Sequence, residues 1–310
     1  MGTTVFVALD DVLRNEDAAK ALHDVFDQVV VATRRATAVD ELTSLADEVD
    51  AAIIGVRERI DGRALDRLGR LRVLGSMASG TDHIDLAALK ARGVTLITAE
   101  GVNAPSVAEH SLMMMLALAK RALAGHAAVV SGADRSAMPT PPVQLSGRRV
   151  GILGAGSTGT ALARLLSTFG CEMLAWTRRP AAHPEMAGFG ARFCTLEELF
   201  SRCHVVSVHL PLTPETRGSI TRELLLRLPF GAIVVNVARK EVFDLHGLVA
   251  ASGQRDDILF GIDDFGLLRD GTVEALGARC LLSPHVAGVT EEALKAIQDR
   301  VVHGVVEYFR

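Results

Sequence analysis

Cysteine is scarce in this sequence, and the cysteines that occur lack the spacing of a metal site. None of the four belongs to a CxxC pair or to a cysteine–histidine group: Cys171, Cys194, Cys203 and Cys280. Scattered thiols of this kind are typical of reduced, buried cysteines in a cytoplasmic protein. The start of the chain, with Asp10 close behind a short strand-like run, is unlike a signal peptide. The sequence therefore predicts a cytoplasmic protein without a metal.

Strong charge of one sign and long apolar runs are also absent. The net charge is −4 and the isoelectric point is about 6.2, which gives no reason to expect nucleic acid or an anionic membrane as a partner. The most apolar window, Ser111–Ala124, contains Lys120 and Arg121 and is shorter than the roughly 18 residues that a membrane-spanning helix needs. The composition therefore predicts neither a nucleic-acid-binding nor a membrane protein.

Apolar strand-like runs alternate with amphipathic helical segments through most of the 310 residues. This alternation predicts βαβ units with parallel sheets, and the length allows two domains with substantial cores. The predicted strands of the first hundred residues are Val5–Leu9, Val29–Val31, Ala51–Gly55, Arg72–Ser76 and Val94–Ile97. The later ones include Met173–Thr177, Val205–His209, Ile233–Val237, Leu259–Ile262 and Cys280–Ser283. Helices are predicted over 105–124 and over Glu291–Phe309, the latter returning to the first domain.

A glycine-rich turn in mid-chain carries the strongest single signal. The run Arg149–Leu153 predicts a strand, and Gly154, Gly156 and Gly159 follow it at the spacing GxGxxG before a helical pattern. This context is the dinucleotide-binding fingerprint, in which the glycines permit a tight turn, close approach of a pyrophosphate and close packing of helix and strand. The first N–H groups of the helix, at Ser157 and Thr158, are expected to attract the phosphates.

The end of the next predicted strand indicates which dinucleotide is preferred. The fingerprint predicts an acidic residue there for the ribose of NAD or basic residues for the 2′-phosphate of NADP. The sequence has Thr177, Arg178 and Arg179 and no acid. Guanidinium groups and a small hydroxyl suit a phosphate, so NADP(H) is the preferred cofactor, with NAD(H) as the alternative. In the competing interpretation both arginines are solvated surface charges.

Three strand ends and one turn supply candidate catalytic groups. Arg239 follows a predicted strand and could clamp a carboxylate bidentately while polarising a neighbouring carbonyl. Asp263 could accept a hydrogen bond from a nicotinamide carboxamide, and His285 suits proton exchange with an alcohol near neutral pH. The turn Ser79–Asp82 offers N–H groups to a carboxylate. Taken singly, Arg239 could instead form a surface ion pair and His285 a structural hydrogen bond. For three other histidines the sequence predicts structural roles: His83, His110 and His204.

Together these segments resemble the D-isomer-specific 2-hydroxyacid dehydrogenase family. The resemblance extends from about Gly75 to the C-terminal helix, and its segments occur in the family's order: Ser79–Asp85, Val107–His110, Gly154–Gly159, His209–Arg217, Asn236–Arg239 and Ser283–His285. It implies an α/β fold of two doubly wound parallel-sheet domains. A Rossmann dinucleotide-binding domain, residues 101–286, is inserted into a flavodoxin-like catalytic domain formed by residues 1–100 plus 287–310.

The resemblance also implies roles for individual residues. Arg239 is carried over as the substrate clamp, His285 as the acid/base, and Ser79 and Gly80 as backbone that binds the substrate carboxylate. Asp263 is carried over as the nicotinamide anchor. Further implied cofactor contacts are Ser157, Thr158, His209, Pro211, Thr216, Val237, Ala238 and Gly288. A homodimer formed through the 105–124 helix is implied as well.

Two positions depart from the family pattern. A glutamate that holds the catalytic imidazole is expected about five residues after Asp263, where this chain has Leu268; Asp270, two residues further on, is the candidate replacement. Lys240 stands where the family has glycine after the catalytic arginine. Its ammonium could recognise a second acidic group of the substrate, or it could extend into solvent.

The sequence as a whole predicts NADPH-dependent reduction of a 2-keto acid, a small molecule, to a D-2-hydroxy acid. The missing glutamate leaves two alternatives open. One is a cofactor-binding protein of the same fold with little dehydrogenase activity, which acts as a redox-responsive interaction partner. The other is an atypical biosynthetic enzyme that uses a tightly bound nicotinamide transiently.

Overall fold

The chain forms two compact units, each built around one parallel sheet. The structure is a computed structural model that describes residues 2–138, 140–264, 266 and 271–310. One unit consists of the chain up to Asn103 together with Glu291–Arg310, and the other consists of Ala104–Thr290. The predicted fold class of two parallel-sheet α/β domains is confirmed. Leu268 and Asp270, the positions expected to face the catalytic histidine, lie outside the described residues.

The first unit contains a five-stranded sheet in the order β2-β1-β3-β4-β5, which is the flavodoxin-like order. Its strands are β1 (Thr4–Val7), β2 (Gln28–Val31), β3 (Ala51–Ile54), β4 (Val73–Ser76) and β5 (Thr95–Thr98). Its helices are α1 (Asp11–Arg14), α2 (Glu16–His23), α3 (Ala38–Ser44), α4 (Gly62–Asp66), α5 (Leu86–Ala91) and α14 (Glu291–Phe309).

Helix α14 completes the core of this unit. Apolar side chains fill both faces of the sheet, and α14 covers one face together with α2. Gly75 of β4 lets the helix approach closely, since a Cβ there would lie 2.8 Å from Val301 and 2.9 Å from Val305. The C-terminal helix therefore returns to the first unit, as its pattern predicted.

The second unit contains a seven-stranded sheet in the order β12-β11-β10-β9-β6-β7-β8. Its strands are β6 (Arg149–Leu153), β7 (Glu172–Trp176), β8 (Ala191–Phe193), β9 (Val205–Val208), β10 (Ile233–Asn236), β11 (Leu259–Asp263) and β12 (Cys280–Ser283). Its helices are α6 (Ala104–Ala119), α7 (Ala122–Val130), α8 (Ser157–Leu166), α9 (Glu185–Gly188), α10 (Leu196–Arg202), α11 (Arg222–Leu226), α12 (Leu245–Gln254) and α13 (Thr272–Leu276).

This strand order is the Rossmann order with one added strand beyond the usual six. The strand order reverses between β6 and β9, which are parallel neighbours: β7 and β8 are added on one side of β6, and β9 to β12 on the other. Ligands of open α/β sheets bind outside the carboxyl ends of the strands at such a switch point. The topology therefore directs attention to the segments that follow β6, β9 and their neighbours.

The prediction of a single helix over 105–124 is wrong, because two helices occupy this region. The residue between α6 and α7, Arg121, has a left-handed backbone with φ of 54°. The carbonyl oxygen of Ala119 accepts a hydrogen bond from the Val143 amide at 2.8 Å, so the returning chain takes an acceptor that a continuing helix would use. In the described part of the chain no single helix is long and apolar enough to cross a membrane. Helices α6 and α7 reach that length and apolar composition only when they are taken together, across a 56° bend.

Candidate active site

The carboxyl ends of the strands in the second unit bring most of the predicted site residues to one edge of the sheet. The register pairs Val208 with both Leu153 and Asn236, and it pairs Asp263 with Ser283. Because all of these strands are parallel, the residues that follow them meet at the same edge. Those residues are Gly154 after β6, His209 after β9, Arg239 after β10 and His285 after β12.

The glycine loop has the geometry that its sequence predicts. Gly154 has a φ of 108°, and a Cβ there would lie 2.8 Å from the carbonyl oxygen of His209. A Cβ at Gly159 would overlap the carbonyl oxygen of Gly154, whereas the space beside Gly156 is open. No side chain among the described residues caps the start of α8. The loop therefore leaves room and helix N–H groups where a pyrophosphate would bind.

A cavity of about 50 Å³ adjoins this loop. Its walls combine apolar side chains with a few polar groups: Leu153, Trp176, Arg178, Leu196, Leu210, Glu215, Thr216, Ser219 and Ile220. The Ser219 hydroxyl is buried and has no hydrogen-bond partner among the described residues. The Thr216 hydroxyl donates to the carbonyl oxygen of Pro211 at 2.5 Å and thereby shapes one wall. At this volume the cavity is far smaller than the roughly 300–1,000 Å³ of ordinary ligand pockets, so it does not by itself accommodate a nucleoside.

The two arginines after β7 differ in their surroundings. Arg178 lies 4.0 Å from the Glu215 carboxylate, with both side chains more than half exposed. Hydrogen bonds from the Thr213 hydroxyl and from its own amide hold the pKa of Glu215 below its usual range. Arg179 is also exposed, and Thr177 is half-buried. Arg178 thus carries a partly neutralised charge, a feature that the sequence did not reveal.

A buried asparagine shapes the turn that carries Arg239. The Asn236 side chain accepts from the Ala238 amide and donates to the Arg239 carbonyl, both at 2.9 Å. The backbone of the following residue, Lys240, is fixed by Asp264. The Asp264 carboxylate accepts from the Lys240 amide at 3.3 Å and from the Gly266 amide at 2.6 Å. The Lys240 ammonium lies close over Gly266. Val237 and Ala238 are half-buried parts of the same turn.

His285 occupies a strained turn after β12. Its φ is 58°, a left-handed backbone that non-glycine residues rarely adopt. Asp263 accepts from the Ser283 hydroxyl, from the Val286 amide at 2.9 Å and from the Ala287 amide at 2.8 Å. Gly288 continues this turn. The predicted nicotinamide anchor therefore also holds the backbone on both sides of the predicted acid/base.

Sequence reasoning missed the polar side chains that fix these two turns: Asn236, Asp264, Ser283 and His110. His110, for which the sequence predicts a structural role, has its Nε2 2.9 Å from the Ser283 hydroxyl. The available signal was positional, since Asn236 and Ser283 are the last residues of parallel strands that end at a ligand-binding edge. Within the described ranges, no group of three or more His, Cys, Asp or Glu residues is placed to hold a metal ion.

Ser79 and Gly80 belong to the first unit and lie in the turn after β4. The Ser79 hydroxyl is 2.9 Å from the Asn103 side-chain oxygen and 3.1 Å from the Ala99 carbonyl oxygen. These bonds engage the hydroxyl inside the unit. The backbone of the turn, half-buried at both residues, is the part that could meet a carboxylate.

His209 is buried beside the glycine loop, and neither ring nitrogen has a hydrogen-bond partner among the described residues. Burial lowers the pKa of its imidazole to about 4 from the ordinary value of 6.5. Because the pKa of His209 is lower in the folded state than in the unfolded state, the unfolded chain binds the proton first as the pH falls. Stability is therefore present above pH 6.5 and is lost as the pH falls from 6.5 toward 4.

We expect the free energy of unfolding to fall by roughly 2 kcal/mol between pH 8 and pH 5 through His209 alone. Urea denaturation at both pH values measures this change in the native protein and in His209→Leu, whose side chain has a similar volume and no proton to bind. The exposed His246 supplies a control, His246→Gln. An unchanged pH dependence in His209→Leu would contradict the prediction.

Comparisons with known proteins identify relatives of this chain. The chain is 31% identical over 275 residues to the D-3-phosphoglycerate dehydrogenase of Mycobacterium tuberculosis, covering 87% of this chain and 50% of that protein. It is 29% identical to the glyoxylate reductase of Pyrococcus furiosus, covering 95% and 90%. A crystal structure of a glyoxylate reductase from Paecilomyes thermophila matches the fold with a TM-score of 0.86 at 22% identity, covering 99% and 95%.

The chain spans about half the length of the first of these relatives, so the likeness to it concerns only that part. The profile described as D-isomer specific 2-hydroxyacid dehydrogenase, NAD binding domain, matches residues 112–287, which is more than half of the chain. This match contains the glycine loop and the turns that carry Arg239 and His285. The chain belongs to the D-isomer specific 2-hydroxyacid dehydrogenase family.

Proposed function

We propose that this protein reduces a 2-keto acid to a D-2-hydroxy acid with NADPH. The observation that carries the proposal is the common sheet edge in the second unit, where Arg239 follows β10, Asp263 ends β11 and His285 follows β12. The glycine loop ends a strand at that same edge. A dinucleotide loop, a cationic clamp and a histidine at one sheet edge are the parts that such a reduction requires.

Each residue has a distinct task in the proposed reaction. Arg239 binds the substrate carboxylate and polarises the adjacent carbonyl, which lowers the energy of the developing alkoxide. His285 donates the proton that this alkoxide requires. Bound NADPH would supply the hydride. The Lys240 ammonium is proposed to favour substrates with a second acidic group.

The experiment is NADPH oxidation, followed by absorbance, with glyoxylate, pyruvate, hydroxypyruvate and a 2-keto acid that carries a second acidic group. We expect turnover with at least one of them and a D-configured product. Binding of NADPH without turnover on any keto acid would instead favour a cofactor-binding protein with little dehydrogenase activity. Cofactor that co-purifies and needs no external recycling would favour the atypical biosynthetic enzyme. The homodimer stays a prediction, which light scattering would test.

NADPH preference is proposed from Arg178 and Arg179, whose guanidinium groups suit a 2′-phosphate. Because Glu215 lies 4.0 Å from Arg178, its charge opposes a bound phosphate. We expect Glu215→Gln to raise the ratio of kcat/KM for NADPH over NADH by about three- to tenfold, and Arg178→Ala to lower it by a similar factor.

Glu223→Gln is the matched control, since Glu223 is also exposed and lies 4.0 Å from an arginine, Arg222. It should leave the ratio unchanged. A native enzyme that prefers NADH by about tenfold would overturn the NADPH assignment.

A further inference from the structure

A partly buried polar chain links helix α6 to the turn that carries His285. We infer that Asp263, Ser283 and His110 are positioning residues for His285, so that Asp263 acts on the reaction by holding the histidine backbone as well as by any contact with nicotinamide. The inference rests on the proposed function, because it assumes that His285 is the acid/base. It concerns residues of the second unit only.

The direction of each hydrogen bond in this chain follows from its chemistry. Asp263 is 3% exposed, and as a carboxylate it can only accept. The Ser283 hydroxyl therefore donates its single proton to Asp263. Its oxygen must then accept from His110 Nε2 at 2.9 Å. His110 consequently carries a proton on Nε2, and this nitrogen also lies 3.9 Å from the Asp263 carboxylate.

The same carboxylate binds residues on both sides of His285. It holds the Ser283 hydroxyl before the histidine and the amides of Val286 and Ala287 after it. Relaxation of His285 from its φ of 58° to an ordinary extended backbone would pull these amides off the carboxylate. Hydrogen bonds to a charged group are stronger than those between neutral groups, so they can maintain a disfavoured backbone.

Helix α6 supports the turn at two points. The Ser106 hydroxyl donates to the Ala287 carbonyl oxygen at 2.6 Å, and His110 binds the Ser283 hydroxyl. Ser106 and His110 are four residues apart and so lie on one face of the helix. Ser106 and Ala287 are both buried. The histidine backbone is thus fixed by a carboxylate on β11 and by one face of α6.

The test compares Ser283→Ala, which removes the hydroxyl, with Ser283→Thr, which keeps it. We expect Ser283→Ala and His110→Gln each to lower kcat by about tenfold and Ser283→Thr to retain most of it. The dissociation constant for NADPH should change by less than about twofold, because the substituted groups hold the backbone of His285. Quenching of the fluorescence of Trp176, the single tryptophan, measures that binding without turnover. The rate at which diethyl pyrocarbonate modifies His285, followed by mass spectrometry without cofactor, should also change in the first two variants.

The matched control is Ser167→Ala, which removes an exposed serine hydroxyl just after α8 that donates to the Arg164 carbonyl oxygen in the last turn of that helix. Thermal unfolding of every variant checks that the fold is retained. If Ser283→Ala and His110→Gln keep kcat and the modification rate of His285, or if they weaken NADPH binding as much as they lower kcat, the inference is wrong. Full activity of a His285 variant would overturn the proposed function instead, so the two failures are distinguishable.

Discussion

Replacing His285 with asparagine is expected to lower kcat for keto-acid reduction by about 10²- to 10⁴-fold, the usual contribution of a general acid. Asparagine tolerates a left-handed backbone better than most residues, so the φ of 58° at this position adds little strain in the variant. The hydrogen bonds from Ser283, Val286 and Ala287 to Asp263 do not involve the imidazole and should persist. The substitution therefore removes the proposed proton donor while these bonds continue to hold the turn.

Three measurements define this result. Steady-state kinetics gives kcat, Trp176 fluorescence gives the dissociation constant for NADPH, and thermal unfolding reports stability. His246→Asn, at an exposed histidine in α12, should behave like the native protein in all three. If His285→Asn keeps native kcat, another group supplies the proton and the proposed mechanism is wrong.

Substitution of Arg239 is the second change with a large expected effect. Arg239→Ala should lower kcat/KM for the keto acid by about 10²- to 10³-fold, because the substrate carboxylate loses a charged, hydrogen-bonded partner. Arg239→Lys should lose at least about tenfold, since an ammonium group cannot reproduce the bidentate fork of a guanidinium group. The Asn236 bonds to the backbone of Ala238 and Arg239 do not involve the guanidinium group and should persist in both variants. The bond from Arg239 Nη1 to the Ala238 carbonyl oxygen at 3.1 Å is lost, so thermal unfolding of both variants checks that the fold is kept.

Arg227→Lys, at an exposed arginine in the same unit, controls for the loss of a guanidinium group. Kinetics with saturating NADPH separates effects on kcat from effects on KM for the keto acid. Native kcat/KM in Arg239→Lys would show that a simple positive charge suffices. Native kcat/KM in Arg239→Ala would exclude Arg239 as the substrate clamp.

Local sequence patterns predicted the alternation of strands and helices because apolar periodicity and glycine turns act over short distances. The strand Cys280–Ser283 and the helix Glu291–Phe309 have the predicted bounds. Pattern reasoning missed β8, which is only three residues long. It also merged α6 and α7, since the bond from the Val143 amide to Ala119 that accompanies the break comes from outside the helical pattern.

The sequence by itself determined the fold class and the dinucleotide loop, and it supplied the candidates for the reacting side chains. Each of these depends on residue type and short spacing, as in the glycines at 154, 156 and 159. The tertiary structure decided the rest. His110 and Ser283 are 173 residues apart, and Asp263 meets Ser283 only because β11 and β12 pair. The left-handed backbone of His285 is stabilised by those distant partners, which local patterning does not encode.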